Sequence, residues 1–543
     1  MDTSVRTHAF MLGVTVLPPL GSLYLGTGIK GNPGYVYLYH AIIFLVWIFA
    51  IKKIVYNHYF GPLSRIPMAP GDWFIFGHTP YMYGAIPGGW ILDFINRPKY
   101  SNCGMLRMKS ILHLSDTVIL TDPNAFNEVL SAHCYDYIKP PKRSAIVERI
   151  IGRGIATAEL AEHKLHRKFV RPAFLGHVIK EFVPKMWLKS LEFAEFMATK
   201  SKAARGAIEF NETVSLITLD IIGVAAFDED FRTLYNSKNE LAATFRRVLE
   251  PSWDFIQYFV ACMLLPGWVS IRLPMAGNKT LTVCKAKLLG LCHQLVAEKK
   301  EVLQRSDKNN TTVLSVLLKN GDLSDDDVRD QMLTFLVAGH ETTSTSITFT
   351  IYFLATHPEL QDKLRDEIRG VLSQYRADEL SDEIFGSMPF LTAVISEAIR
   401  LWPIVRETVI QGVTIPKGTW VNMSTFAANR SECIWGADAA EFKPERWLGE
   451  GKATHGGTNN RLANNITFLF GPRSCLGQSF ARAEMKCLVA AFVDRFKFEM
   501  LHPDKELVVA GALTIKPLDG LHLPALTLGY MGFCKGMAAG DCN

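Results

Sequence analysis

Phe468-Leu-Phe-Gly-Pro-Arg-Ser-Cys-Leu-Gly477 is the stretch from which the rest of the chain can be read. Glycines at 471 and 477 and a proline at 472 bracket a single cysteine, and a helical run opens at Gln478. The spacing puts Cys475 in a tight loop at the head of a helix, where free amides and the positive end of the dipole favour a thiolate. Arg473 adds a cation that could also meet a carboxylate on a ligand. A lone cysteine is most often an inert, buried one. The bracketing sets this residue apart from the rest of the chain's 10 cysteines, none of which forms a CxxC pair.

Upstream, Ser324-Asp-Asp-Asp327 reads as a capping box opening a long helix that runs to about Thr356, where His357-Pro358 stops it. From Met332 to Ala355 its ionisable residues are His340, Glu341 and Tyr352. A helix apolar nearly all round belongs in a core or a membrane, and its serines, threonines and central acid argue for a core. Glu341, buried there, must be paired or used. Gly339 costs about 1 kcal/mol in a helix interior, which points to a close approach to the backbone. Further helices are predicted over Glu359 to Leu372 and Leu391 to Leu401. On the latter, Glu397 and Arg400 lie together opposite an apolar stripe, and by themselves read as an exposed ion pair. Strand-like pieces are few: Val413 to Asn422 and Leu507 to Leu523. His163 and Arg167, one helical turn apart, can reach the same anion, although a solvated basic face is the plainer reading.

Taken in order, His163–Arg167, Ala338-Gly-His-Glu-Thr-Thr343, Glu397–Arg400, Phe442-Lys-Pro-Glu-Arg-Trp447 and Phe468–Gly477 resemble the motif series of the cytochrome P450 family. Phe468, Gly471, Arg473, Cys475 and Gly477 match its FxxGxRxCxG pattern. The resemblance implies a mainly α fold with small β-sheets. It implies haem b with Cys475 as iron ligand, and Phe468 and Arg473 beside the cofactor. Thr342 would hold the protons that dioxygen cleavage consumes and Glu341 would relay them, while Glu397, Arg400 and Arg446 would form a buried structural cluster. Arg167 corresponds to the propionate-binding arginine of a WxxxR segment, with His163 in place of the tryptophan. Arg406 resembles a second propionate-binding arginine at a shorter interval than usual. Electrons would come from NADPH through a cytochrome P450 reductase, with cytochrome b5 as a further partner, since no flavin or nicotinamide fingerprint is present.

The N-terminus differs in kind from the remainder of the chain. Gly31 to Ile51 carries no charge and is long enough to cross a bilayer core of about 30 Å. Lys52 and Lys53 come directly after it, so the positive-inside rule puts the rest of the chain in the cytosol, at the endoplasmic reticulum membrane. An apolar stretch over residues 8–28 is a possible second span, weakened by Pro18, Pro19 and Gly21. The expected organisation is an anchor (one span over about 34–51) with its linker, residues 1–60, and one catalytic domain over 61–543. A net charge of +5, spread along 543 residues, gives no basic arm for nucleic acid.

Apolar segments around Tyr135–Ala156, Pro251–Met275 and Gly511–Ile515, with Phe335, Ala338 and Thr342, are the expected substrate walls. The expected reaction is hydroxylation or epoxidation of a hydrophobic small molecule. Ala161-Glu-His-Lys through Pro172-Ala-Phe174 resembles fungal family members that act on small natural products, which implies a terpenoid or polyketide. Two alternatives stay open: a haem-thiolate isomerase or dehydratase needing no external electrons, and a haem-binding protein without turnover.

Overall fold

The computed structural model describes residues 33–50, 56, 59–73, 76–82, 91, 104–110, 116–203, 207–236, 238–249, 252–305, 312–319, 323–376, 379–403, 408–411, 416, 418–449, 453, 466–505, 507–510, 514–524 and 527–528. The possible span over 8–28, and Arg406, lie outside them. The chain divides into two compact units, Met1–Pro140 with Glu407–Ala437, and Pro141–Arg406 with Asp438–Asn543.

In the first unit, helix α1 (Pro33–Ala50) covers the expected span. Leu45, Val46, Leu38 and Phe44 are all more than half exposed on it. A mixed sheet comes next, in the order β1 (Met105–Lys109), β2 (Asp116–Leu120), β5 (Trp420–Met423), β4 (Thr408–Gln411). β2 runs parallel to β5 with Thr117 opposite Trp420, and the outer pairs are antiparallel. Val118, Ile119, Leu120, Val421 and Met423 bury the sheet's apolar side chains. Lys109 and Asp116 form a buried ion pair at its edge, 2.7 Å apart.

The second unit is helical. It contains α2 (Pro141–Ile151), α3 (Leu160–Val170) and α4 (Gly176–Ala203), then β3 (Ala207–Glu209) and α5 (Phe210–Ile222). It continues with α6 (Glu240–Leu249), α7 (Trp253–Leu264), α8 (Ala276–Arg305), α9 (Asp325–Thr356), α10 (Pro358–Leu372) and α11 (Pro389–Leu401). Last come α12 (Gln478–Arg495) and the short strands β6 (Val509–Ala510), β7 (Lys516–Pro517) and β8 (His522–Pro524), the last paired antiparallel with β3. The expected long helix is α9, opened by the capping box: Ser324 Oγ accepts the Asp327 amide at 3.1 Å, and Asp327 accepts the Ser324 amide at 3.2 Å. It packs on α5, α8, α11 and α12 and forms the axis of the unit. Buried hydroxyls along it find acceptors on the helix itself: Ser346, Thr348 and Thr350 each donate to the carbonyl four residues back. The close approach foreseen at Gly339 is made by Ile222 of α5, whose Cδ1 would lie 3.0 Å from an added Cβ.

One described stretch, Phe210–Phe227, is long and apolar enough to cross a membrane by length and composition. It is 72% buried in the second unit, so it is a core helix.

Candidate active site

The cysteine loop has the geometry its glycines and proline dictate. Gly471–Arg473 make a single tight turn, the Cys475 amide donates to the Phe468 carbonyl at 2.8 Å, and α12 starts three residues after the cysteine. Leu469 sits at φ +55, a left-handed conformation that a branched side chain resists and that surrounding contacts must hold. Of the described cysteines only Cys433 and Cys475 are exposed. The others are buried, and burial pushes the Cys292 thiol up to about 12.

Cys475 combines two properties that rarely coincide. Surrounding protein pushes its thiol upward, against the pull of the Gly477 amide and the Arg167 guanidinium. Yet the residue keeps accessible surface, so it opens onto space inside the fold and not onto packed side chains. The cation beside the sulfur is Arg167 rather than Arg473, because Arg473 pairs with Glu159 at 2.6 Å.

The same property recurs on α9. Residues on either side are buried, but Ala338 is exposed and Gly339 and Thr342 are half-buried, so one face of a core helix lies open over a single turn. Thr342 Oγ1 donates to the Ala338 carbonyl at 2.7 Å. Phe335, one turn earlier, is packed edge-on against Phe174, with ring centroids 5.1 Å apart. Glu341 points elsewhere: its carboxylate accepts from Thr514 Oγ1 at 3.0 Å and faces Lys516 Nζ at 3.5 Å. His340 Nδ1 lies 2.7 Å from the Leu336 carbonyl, and burial lowers its affinity for a proton.

Below the loop, Glu397 is fully buried and both of its oxygens are multiply bonded. Oε1 accepts from Arg400 Nη2 and Arg446 Nε at 2.8 Å and from the Lys443 amide at 3.1 Å. Oε2 accepts from Arg400 Nε at 2.8 Å and Trp447 Nε1 at 2.9 Å. Burial works against the charge of Arg446, but Glu397 and Asp438 outweigh it and hold the guanidinium above its ordinary value. The exposed ion pair that the local pattern suggested is instead a buried cluster, as the resemblance implied.

Arg167 donates to Ser474 O and Ser474 Oγ, both at 2.8 Å, and so clamps the residue before the cysteine. His163 is buried on the same helix, α3. Phe468 lies under the guanidinium of Arg482, 5.3 Å from ring centroid to Cζ. A haem fits these residues: an accessible sulfur deep in the unit, an amide aimed at that sulfur, and apolar and hydroxyl surface exposed on a core helix.

Two features carried no readable signal, and a third, the Pro251–Met275 segment expected as a substrate wall, presents exposed apolar side chains. Glu484 of α12 is fully buried, and neither of its oxygens nor the Thr343 hydroxyl completes a hydrogen bond. Burial drives its carboxyl well above the ordinary range, with the nearby Thr343 hydroxyl pulling the other way. Lys516 sits in a strand only two residues long. On α7, Trp253, Ile256, Val260 and Leu264 form an exposed apolar stripe, continued by Trp268 and Ile271.

The geometry defines a helical unit built around an accessible, loop-borne cysteine, and comparison with known proteins agrees. The family model for cytochrome P450 matches residues 96–521. The cytochrome P450 monooxygenase sphH of Aspergillus fumigatus is 32% identical over 498 residues, covering 87% of this chain and 90% of that protein. FSL4 of Gibberella zeae is 30% identical, covering 85% and 86%, and buaD of Petromyces alliaceus is 32% identical, covering 90% and 91%; both are cytochrome P450 monooxygenases. The chain belongs to the cytochrome P450 family. It is an oxidoreductase of the monooxygenase type, with fungal relatives, and the family implies a haem-thiolate centre and a separate electron donor.

Proposed function

We propose that this monooxygenase hydroxylates or epoxidises a hydrophobic small molecule, a terpenoid or polyketide, in natural-product biosynthesis. Electrons come from NADPH through a membrane-bound cytochrome P450 reductase, with cytochrome b5 as an accessory donor. The observation that carries the reading is Cys475, a sulfur deep in the helical unit that still presents surface, with the Gly477 amide directed at it. Bound through that sulfur, haem b supplies dioxygen activation, which the thiolate favours by electron donation.

The chain's own residues do the rest. Glu397, Arg400 and Arg446 fix the segment beneath the loop, and Arg167 fixes Ser474. Arg167, His163, Arg473 and Arg406 are the groups proposed to meet the cofactor's carboxylates, Arg473 by exchanging its Glu159 partner. Phe335 and Ala338 offer apolar surface to the substrate and exclude water. Thr342 presents a hydroxyl at the open face of α9, and Glu341, the neighbouring acid, moves protons towards it.

Residues 1–60 are proposed as anchor and linker and 61–543 as the catalytic region, on the cytosolic face of the endoplasmic reticulum. The exposed apolar surface of α1 supports this, and the α7 stripe supports a second, shallower contact with lipid. The test is spectroscopic, then chemical. Reduced, carbon-monoxide-treated full-length protein should give a strongly red-shifted Soret band, which Cys475→Ser should abolish. With reductase and NADPH, a terpenoid and polyketide panel should yield products one oxygen heavier. Retention of the band in Cys475→Ser, or turnover without NADPH, overturns the reading.

A further inference from the structure

Helix α3 holds the cysteine loop at two adjacent residues. Near its C-terminal end Arg167 donates to the carbonyl and the hydroxyl of Ser474, both at 2.8 Å. Just before its first residue, Glu159 takes the guanidinium of Arg473 in a two-pronged pair. Nη2 donates to Oε2 at 2.6 Å and Nη1 to Oε1 at 3.2 Å. Both ties fall on the residues that immediately precede Cys475. A fork of this kind fixes orientation as well as charge.

Three observations set the Glu159 pair apart from the surface ion pairs of the unit. The Arg473 side chain is 10% exposed and that of Glu159 25%, whereas Arg153 and Glu162, paired close by, stand at 66% and 36%. Glu159 is the N-cap residue of α3, yet its side chain makes no capping bond and reaches across to the loop. Leu160 follows at φ +48, a left-handed conformation, with its own side chain exposed. A strained leucine with so little packing of its own is held by its neighbours, and such strain collects at functional sites.

We infer that Glu159 is a positioning residue for the haem-thiolate centre: it aims Arg473 and supplies a fixed negative charge that keeps the haem's reduction potential low. The inference rests on the reading that Cys475 binds the iron and Arg473 meets a cofactor carboxylate. Whether the guanidinium is shared with that carboxylate or handed to it, α3 keeps the Glu159 carboxylate at the edge of the loop. Reduction adds an electron to the centre, so a fixed anion there opposes it. Glu159 also offsets the cation of Arg473, which by itself favours the reduced form. Removing the carboxylate therefore moves the potential one way, upward.

The test is a spectroelectrochemical titration of the ferric–ferrous couple in full-length, substrate-free holoenzyme. Glu159→Gln keeps the shape of the side chain and removes its charge. It should favour reduction about tenfold, an upward shift of about 59 mV for one electron. Glu159→Asp, which keeps the charge, should return more than half of that shift. Glu162→Gln, at the exposed acid of the same helix, should leave the potential at its wild-type value. Haem content and the carbon-monoxide spectrum should match wild type in all three. A wild-type or lowered potential in Glu159→Gln overturns the inference, as does an equal rise in Glu162→Gln or a smaller return in Glu159→Asp. Transfer of haem to excess apomyoglobin tests the reading beneath it, and Arg473→Gln should lose haem faster than wild type. If Arg473→Gln sheds haem while Glu159→Gln keeps a wild-type potential, the role of Glu159 falls and the assignment of Arg473 stands. If both are silent, both fall.

Discussion

Glu397 and Glu341 are buried carboxylates of the same helical unit, yet they are held in opposite ways. The first has two guanidinium groups, an indole and a backbone amide on its two oxygens, at 2.8–3.1 Å. The second has one hydroxyl at 3.0 Å and one ammonium at 3.5 Å. Glu484 extends the series to its limit, with no completed bond on either oxygen. Desolvation is costly for all of them, and the way each cost is met separates their roles. A carboxylate with both oxygens fully engaged cannot move, so it serves as a strut. One with two loose contacts can change partners. One with none keeps its proton.

Each contrast can be broken by substitution. The largest effect belongs to Glu397→Ala, which strands two buried guanidinium groups and should cost about 3–5 kcal/mol. The expected outcome is little soluble protein and no haem absorbance after purification. Glu341→Gln should fold and bind haem normally, while coupled product formation falls roughly a hundredfold, the scale of a lost general acid. Steady-state product yield per NADPH measures it. If Glu341→Gln instead lost its haem, the strut and the mobile acid would not differ in kind.

Glu484→Gln addresses the unpartnered extreme. The folded protein raises this carboxyl well above its unfolded value, so its contribution is whole below the ordinary carboxylate range. That contribution is lost as pH rises from there through the raised value. Gln cannot ionise, so melting curves should show the variant gaining on wild type as pH rises above the ordinary carboxylate range, by about 1 °C per kcal/mol recovered. The smallest effect concerns the exposed stripe. Leu264→Ser with Trp268→Ser should leave melting within about 1 °C of wild type, as surface changes do, while reducing flotation with liposomes once residues 1–60 are removed.

How much of this could be read from the chain varied with the physics of each part. The long helix was legible because its capping box and its apolar run agree, and the structure starts it at Asp325 and ends it at Thr356, at the expected stop. The cysteine loop was legible because two glycines and a proline constrain it. The sheet strands β1 and β2 were not, since Met-Leu-Arg-Met-Lys and Asp-Thr-Val-Ile-Leu are short, and the first buries an arginine and a lysine that local pattern assigns to solvent. Glu397 and Arg400 needed the family resemblance, because partners 39 to 50 residues away decide their burial. The pairing of Arg473 with Glu159, 314 residues apart, has no local trace, and neither has the joining of Lys516 to Glu341.

The back-bonded hydroxyls of α9 have a mechanical consequence. A buried helix that borrows donors from its neighbours is riveted to them, because sliding by an ångström would strand each shared group. Thr342, Ser346 and Thr350 instead give their protons to carbonyls of their own helix, and Thr348, which also reaches Asn211 of α5, is the one rivet in that series. Bonding of the first kind travels with the rod and also softens it towards bending. Thr218 of α5, which donates to the His340 carbonyl, and Thr334, which donates to the Ile151 carbonyl, are further pins, so α9 can bend only between these ties as guests of different girth arrive.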